Sequence, residues 1–400
     1  MKALPSLPVR HISATPKAGT HAVTVNLVSP AKRPVLEVWQ GDCHTRHHFK
    51  VLGPGRKHSE KRWQVEVEIP MGSWQYRLDL GGGSYLPEQG HYTSQLTKLW
   101  IQDGEVFDYQ PEPTLSASCV VKVPNFRGRL SKRALYVYLP RGYLEQPHRH
   151  YPVIYMHDGQ NCFESFVEDS FAGSWQADLV ADRAVAQGQM RECIIVGVSN
   201  GEAQRMAEYL PPYASYKQPQ VPSLEPDAKH KKPIVIKGRA NATALYYQDD
   251  IASYITKYYR VLPGREYTAT VGSSMGGLVS AYIAWEYPEF AKHHALMSSA
   301  FWTTKNRNGS IETVERMRSK PKLPARIWLD SGTGTSNVRG GSDDNKFVTL
   351  EAKQAMLEAG FSLGDDFQYY LAEGAHHHES AWAARLDKVF TFLFPLTSNE

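Results

Sequence analysis

"VGSSMGGLVS", residues 271–280, sets two serines side by side within a run of glycines. A serine hydroxyl becomes a useful nucleophile when a sharp strand-to-helix turn holds it at the carboxyl edge of a sheet. Side chains two residues to either side would collide with the neighbouring strand and helix, hence the spacing G-x-S-x-G. Centred on Ser274, the flanks are Gly272 and Gly276, and the spacing fits. Centred on Ser273, they are Val271 and Met275, and it fails. The neighbouring sequence agrees, with strand-like "REYTATV" before the turn and helical "GLVSAYIAWEYP" after it. Ser274 is the candidate nucleophile, and Ser273 a packing residue.

Working outward, the same grammar repeats. "RALYVYLP" (133–140), "YPVIYMHDG" (151–159), "ECIIVGVSN" (192–200), "ARIWLDSGT" (325–333) and "DFQYYLAEG" (366–374) are apolar runs of the kind buried on both faces. Between them lie helical stretches such as "ATALYYQDDIASYITKYYR" (242–260) and "FVTLEAKQAMLEAG" (347–360). Strands alternating with helices predict an α/β fold with a doubly wound, mostly parallel sheet, whose ligands sit beyond the strands' carboxyl ends. The Pro- and Lys-rich segment 213–241 has little periodicity and reads as a lid, with Lys217, Lys229, Lys231 and Lys232 available to an anionic substrate.

Residues 1–112 follow a different rule. "HAVTVNLVS" (21–29), "PVLEVWQGD" (34–42) and "RWQVEVEIP" (62–70) alternate apolar with polar residues, as half-buried strands do. Short strands at this spacing predict a β-sandwich. The Pro-rich joint "QPEPTLSAS" (110–118) separates it from a second domain spanning 119–396. With 42% apolar and 22% charged residues and a net charge of +4, the composition excludes bulk disorder. The basic patches "HTRHHFK" (44–50) and "KHKK" (229–232) read as solvated loops, so no nucleic-acid partner is expected. No apolar window suits a secretory signal or a membrane span, and the four cysteines are scattered. Both observations lead to an expected cytoplasmic location with reduced thiols.

Ser274 needs a base and an acid, in the chain order Ser, acid, His. "GAHHHESAW" (374–382) follows the last predicted strand, where that order puts the histidine. Three adjacent imidazoles also raise a metal site. Successive side chains of an extended segment point to opposite sides, so only His376 and His378 would share an ion, and no metal is expected. Two positions compete for the acid. Asp330 ends the strand "ARIWLD", whereas Asp343 and Asp344 lie in the loop beyond, and Asp344 is preferred because a loop aspartate folds back over a histidine. The oxyanion of a tetrahedral intermediate needs two N–H donors. Met275 supplies one, and Gln160 or Gly159 in "MHDGQN" the other.

"YPVIYMHDGQNCF", "VGSSMGGLVSAYIAWEYPEF" and "EGAHHHESAWAARLDKVFTFLF" together resemble the "Putative esterase" family over residues 119–396. That family holds esterase D, enterochelin esterases, feruloyl and acetylxylan esterases, and mycolyltransferases. The resemblance implies an α/β-hydrolase fold and a Ser-His-acid triad. It places the catalytic histidine on His377, with Glu379 and Trp382 as supports. "NGEAQRMAEYLP" (200–211) resembles a family segment in which Arg205 and Glu208 either brace the site or form a structural pair. One departure stands out: relatives carry an acid two or three residues after "LDxGT", where this chain has Gly334, Thr335 and Ser336.

The amino-terminal domain resembles the early-set, glycogen-binding-like sandwiches, with Trp39, Trp74, Tyr85 and Trp100 as aromatic candidates for core packing or sugar stacking. Such a domain binds sugar, covers the site or forms a homodimer contact. The expected activity is hydrolysis of an imported or intracellular ester of siderophore, feruloyl or acetyl-sugar type, without a cofactor. Its rivals are acyl transfer by the same triad and non-catalytic carbohydrate binding.

Overall fold

A computed structural model describes residues 20–40, 43–54, 60–70, 74–94, 97–102, 105–107, 116–218, 233–334 and 344–396. By its contacts the chain divides into two compact units between Ser116 and Ala117.

The first unit is a β-sandwich. One sheet runs in the order Glu105–Phe107, Lys98–Gln102, Thr20–Ser29, Lys61–Pro70, Lys50–Pro54; the other runs Cys43–His48, Val35–Gln40, Trp74–Gly81, Ser84–Leu86, with Tyr92–Ser94 also on Trp74–Gly81. Alternation does the work here: along Lys61–Pro70 every second residue from Trp63 to Ile69 is buried, and the intervening ones are exposed or partly so. Val25 and Trp63 from one sheet share a core with Leu36, Val38 and Trp74 from the other. Of the four candidate aromatics, Trp74 belongs to that core. Trp39 instead stacks on His44 with ring centroids 4.5 Å apart, while Arg77 lies 4.2 Å over the ring of Tyr85.

The second unit is built on eight strands: β1 (Cys119–Phe126), β2 (Arg133–Leu139), β3 (Val153–His157), β4 (Ile194–Val198), β5 (Thr268–Ser273), β6 (His293–Met297), β7 (Arg326–Gly332) and β8 (Phe367–Ala372). Their order is β1-β2-β4-β3-β5-β6-β7-β8, antiparallel through β1, β2 and β4 and parallel from there on. Helices α1 (Ala177–Ala186), α2 (Met275–Glu286), α3 (Lys346–Glu358), α4 (Glu379–Ala383) and α5 (Leu386–Leu393) position the site. Two apolar cores, one on each face of the sheet, bury β3, β4 and β5 completely. This is the expected α/β-hydrolase arrangement.

The periodicity of the sequence does not single out β6. Its residues "HHALM" open on two histidines, yet all five are buried. His294 is held by Thr270 Oγ1 at 2.8 Å and the Ala291 carbonyl at 3.1 Å. Burial pushes its pKa down to about 3, so it packs as a neutral ring. Segment 213–241 begins and ends as an antiparallel hairpin, Ser215–Gln218 with Ile234–Lys237; Lys229, Lys231 and Lys232 lie outside the described residues. No helix among the described residues is long and apolar enough to cross a membrane.

Candidate active site

The turn after β5 has the geometry the glycine spacing demands. Ser274 holds φ 53° and ψ −118°, left-handed backbone that a non-glycine residue adopts only when its surroundings force it. A Cβ on Gly272 would lie 2.5 Å from the Gly276 carbonyl carbon, and one on Gly276 would lie 3.2 Å from His157 Cβ. Gly272 is therefore closed to larger residues, whereas a side chain at Gly276 would need the His157 side chain to give way by a few tenths of an ångström. Ser274 donates its N–H to the Met297 carbonyl at 3.0 Å, and its own carbonyl accepts from Ala300 at 2.9 Å. The end of β6 thus braces the elbow from one side, while β3 braces it from the other. Ser273 is buried within β5, where its side chain packs.

The three histidines divide as their alternation predicts. His377 turns inward: its Nδ1 lies 2.6 Å from Asp344 Oδ1, and its ring meets Trp382 edge-on at 4.9 Å. His376 and His378 instead line a 540 Å³ outer cavity that has neither His377 nor Ser274 among its lining residues. His378 also accepts the Ser380 N–H and so caps α4. Among the described residues, no three His, Cys, Asp or Glu side chains converge as metal ligands. The Ser274 hydroxyl and His377 Nε2 make no hydrogen bond among the described residues.

Asp344 is wholly enclosed. Its Oδ2 accepts the Gly332 N–H at 2.5 Å and the Ser298 hydroxyl at 2.7 Å, leaving Oδ1 to His377. Because a carboxylate accepts, Nδ1 of His377 is the donor of this bond, which in the neutral imidazole leaves the lone pair on Nε2. The competing aspartate sits elsewhere. Asp330 accepts from Arg385 Nη2 at 2.8 Å and from Trp328 Nε1 at 2.7 Å, a buried ion pair beneath the site. Asp343 lies outside the described residues.

The oxyanion candidates stand at two helix starts, where N–H groups lack intrahelical partners. Met275 opens α2, and Gly159 and Gln160 open a short turn after β3. A Cβ on Gly159 would fall 2.3 Å from the Gly197 backbone carbon, so only glycine lets this loop lie against β4. The His157 ring, hydrogen-bonded through Nδ1 to Tyr247 at 2.8 Å, fills the space between loop and elbow. Burial lowers its pKa to about 4, which keeps it neutral.

Of the two readings of Arg205 and Glu208, the structure does not bear out a pair between them, because each finds a different partner. Arg205 forms a two-pronged pair with Asp158, at 2.6 and 2.8 Å, and Asn200 adds a third bond at 2.7 Å. Burial pushes the Asp158 carboxyl up, but Arg205 and Asn200 outweigh it and hold the pKa below the ordinary value. Asp158 (φ 56°) directly precedes the turn that carries the candidate oxyanion donors, so Arg205 braces that turn through it. Glu208 instead pairs with Arg133 at 2.8 Å and Arg239 at 3.1 Å. Glu379 accepts from Asn161 Nδ2 at 3.2 Å, and burial raises its pKa. Sequence reasoning missed Asp158, Ser298 and Arg385. Only Asp158 had a visible signal, its place directly before Gly159.

Residues 130–393 match the family model described as "Putative esterase". The uncharacterized protein YbbA of Bacillus subtilis (strain 168) is 20% identical over 271 residues, covering 66% of this chain and 94% of that one. Among solved structures, an IroE-like serine hydrolase from Shewanella oneidensis superposes with a TM-score of 0.50 at 19% identity, covering 68% of this chain and 79% of that one. The enterobactin esterase FES from Shigella flexneri gives a TM-score of 0.48 at 12% identity over 91% of this chain and 89% of that one. At 19% identity the likeness to the Shewanella oneidensis hydrolase speaks to the fold alone.

Proposed function

The chain belongs to the "Putative esterase" family and is a carboxylic-ester hydrolase; from that premise we propose that it works through Ser274, His377 and Asp344 by way of an acyl-enzyme. His377 Nε2 takes the Ser274 proton as Oγ attacks the ester carbonyl carbon. The carbonyl oxygen becomes an oxyanion held by the N–H of Met275 and that of Gln160 or Gly159. His377 then returns the proton to the departing alcohol, and the C–O bond of the ester breaks. Water, deprotonated by the same nitrogen, attacks the acyl-enzyme and releases the carboxylic acid and free Ser274.

The observation that carries this reading is the 2.6 Å bond between His377 Nδ1 and buried Asp344, which leaves Nε2 as the base. Further support comes from the strained backbone of Ser274, held where the fold family presents its ligands.

The substrate reading follows from the rim. Trp302 lies two residues beyond Ala300, whose N–H bonds the Ser274 carbonyl; its ring is 43% exposed and meets Tyr216 at 6.0 Å. An exposed tryptophan packed on the partly buried Tyr216, close in the chain to a backbone partner of Ser274, suits a feruloyl, siderophore or acetyl-sugar ester. Cys119, Cys162 and Cys193 are free, which supports a reducing, cytoplasmic setting.

The test is hydrolysis of p-nitrophenyl esters and methyl ferulate by wild type, Ser274→Ala and Ser273→Ala. Loss of the nucleophile should lower kcat by roughly 10³-fold or more. Activity surviving in Ser274→Ala, or lost in a folded Ser273→Ala instead, overturns the assignment.

A further inference from the structure

The hydroxyl of Ser298 touches the acid without belonging to the triad, and its surroundings leave it a single orientation. Ser298 follows β6, is completely buried, and holds φ 41°. Its Oγ accepts from Trp382 Nε1 at 3.1 Å and from Arg385 Nη2 at 2.8 Å, and it lies 2.7 Å from Asp344 Oδ2. A serine hydroxyl has two lone pairs and one proton. Indole and guanidinium N–H groups only donate, so they fill both lone pairs. The proton is left with one partner, Asp344. The backbone closes the same clamp, since the Ser298 carbonyl accepts from Asn345 Nδ2, next to the acid, at 2.6 Å.

Arg385 gives the clamp its direction. Its guanidinium is buried, pairs with Asp330 Oδ1 at 2.8 Å, and donates to the Ala381 carbonyl at 2.9 Å. It stands 3.8 Å from Asp344 Oδ2, beyond hydrogen-bond reach. The Ser298 N–H meets the Asp330 carbonyl at 2.9 Å, which ties the serine to the same pair. Thus Asp330 takes the guanidinium's hydrogen bond, while Asp344 meets the cation only at ion-pair distance and keeps Oδ1 for the imidazole.

We propose that Ser298, clamped by Trp382 and Arg385, is the positioning residue of the catalytic acid: its O–H holds Oδ2 so that Oδ1 faces His377. This rests on the triad reading above. It accounts for a physical difficulty of this chain, whose acid lies 12 residues beyond Gly332 at the end of β7. An acid on so long a loop needs an anchor outside its own strand, and the end of β6 provides one.

A double-mutant cycle tests it in the full chain, with kcat and KM on a p-nitrophenyl ester for Ser298→Ala, Asp344→Asn and the pair. Ser298→Ala should lower kcat roughly 10- to 100-fold, as lost support of a catalytic group typically does, with KM nearly unchanged. The double variant should be no slower than Asp344→Asn alone. Equal factors in both backgrounds would show a general structural role and overturn the proposal. If Asp344→Asn keeps wild-type kcat, the triad reading itself falls, and this proposal with it. Should Ser298→Ala fail to fold, Ser298→Cys fills the same space with a weak donor and carries the same comparison.

Discussion

Two turns meet at the carboxyl edge of the sheet, the elbow after β5 and the acid-bearing loop after β7. The elbow is local. Gly272, Ser274 and Gly276 define it within five residues, and the clashes that exclude side chains there come from the same turn and from β3 beside it. The acid is the opposite case. Asp344 is fixed by Gly332 N–H, by Ser298 at the end of β6 and, through Ser298, by Trp382 and Arg385 near the carboxyl terminus. The candidate nucleophile is therefore encoded by a motif, and the candidate acid by a convergence of distant residues.

The comparison can be broken first at the two aspartates. Asp344→Asn should lower kcat by roughly 10⁴-fold with little change in stability, because it puts the imidazole in the wrong tautomer. Asp330→Asn should act mainly the other way. It strands the buried Arg385 guanidinium, costing about 3–5 kcal/mol, with a far smaller loss of kcat. Activity and denaturant melts on the same samples check both, and exchanged effects would return the acid's role to Asp330.

The elbow offers a second, smaller effect. A methyl on Gly272 meets backbone carbon at 2.5 Å, whereas one on Gly276 meets the His157 side chain at 3.2 Å. Gly272→Ala should cost about 1–3 kcal/mol or more, and Gly276→Ala less. Thermal melts that ranked the two in reverse would mean that the turn yields at β5.

The smallest effect concerns β6, the strand that carries Ser298. Burial lowers His294 from 6.5 to about 3, so the unfolded chain binds the proton first. Stability from this group is full above pH 6.5 and falls by up to about 1.4 kcal/mol per unit as pH drops toward the folded value. His294→Gln should flatten that slope between pH 6.5 and 4.5 in urea melts. An unchanged slope would mean that His294 is not the neutral core ring described.

The same contrast explains what was legible in the sequence. The alternating sheet and helix pattern follows from local periodicity, and the choice of Ser274 over Ser273 from the glycine spacing. Alternation separates His377 from His376 and His378, but it is the family resemblance that singles out His377. The β6 strand was hidden because polarity scales count histidine as charged, whereas a buried imidazole with two partners packs as a neutral ring. The alternative in which Arg205 and Glu208 form a structural pair does not hold, because proximity in sequence does not determine ion pairs. Asp158, directly before the turn with the candidate oxyanion donors, outcompetes Glu208, which Arg133 claims instead. Asp344 was preferred in the sequence as a loop residue, but what holds Asp330 elsewhere, Arg385, lies 55 residues away and was not legible there.

The most direct test of the account is to label the folded protein with a serine-reactive fluorophosphonate and map the adduct by peptide mass. A single phosphonyl group on Ser274, absent from Ser274→Ala and retained in Ser273→Ala, is the predicted result. An adduct on Ser273, or ester turnover that continues with no serine labelled, would contradict it.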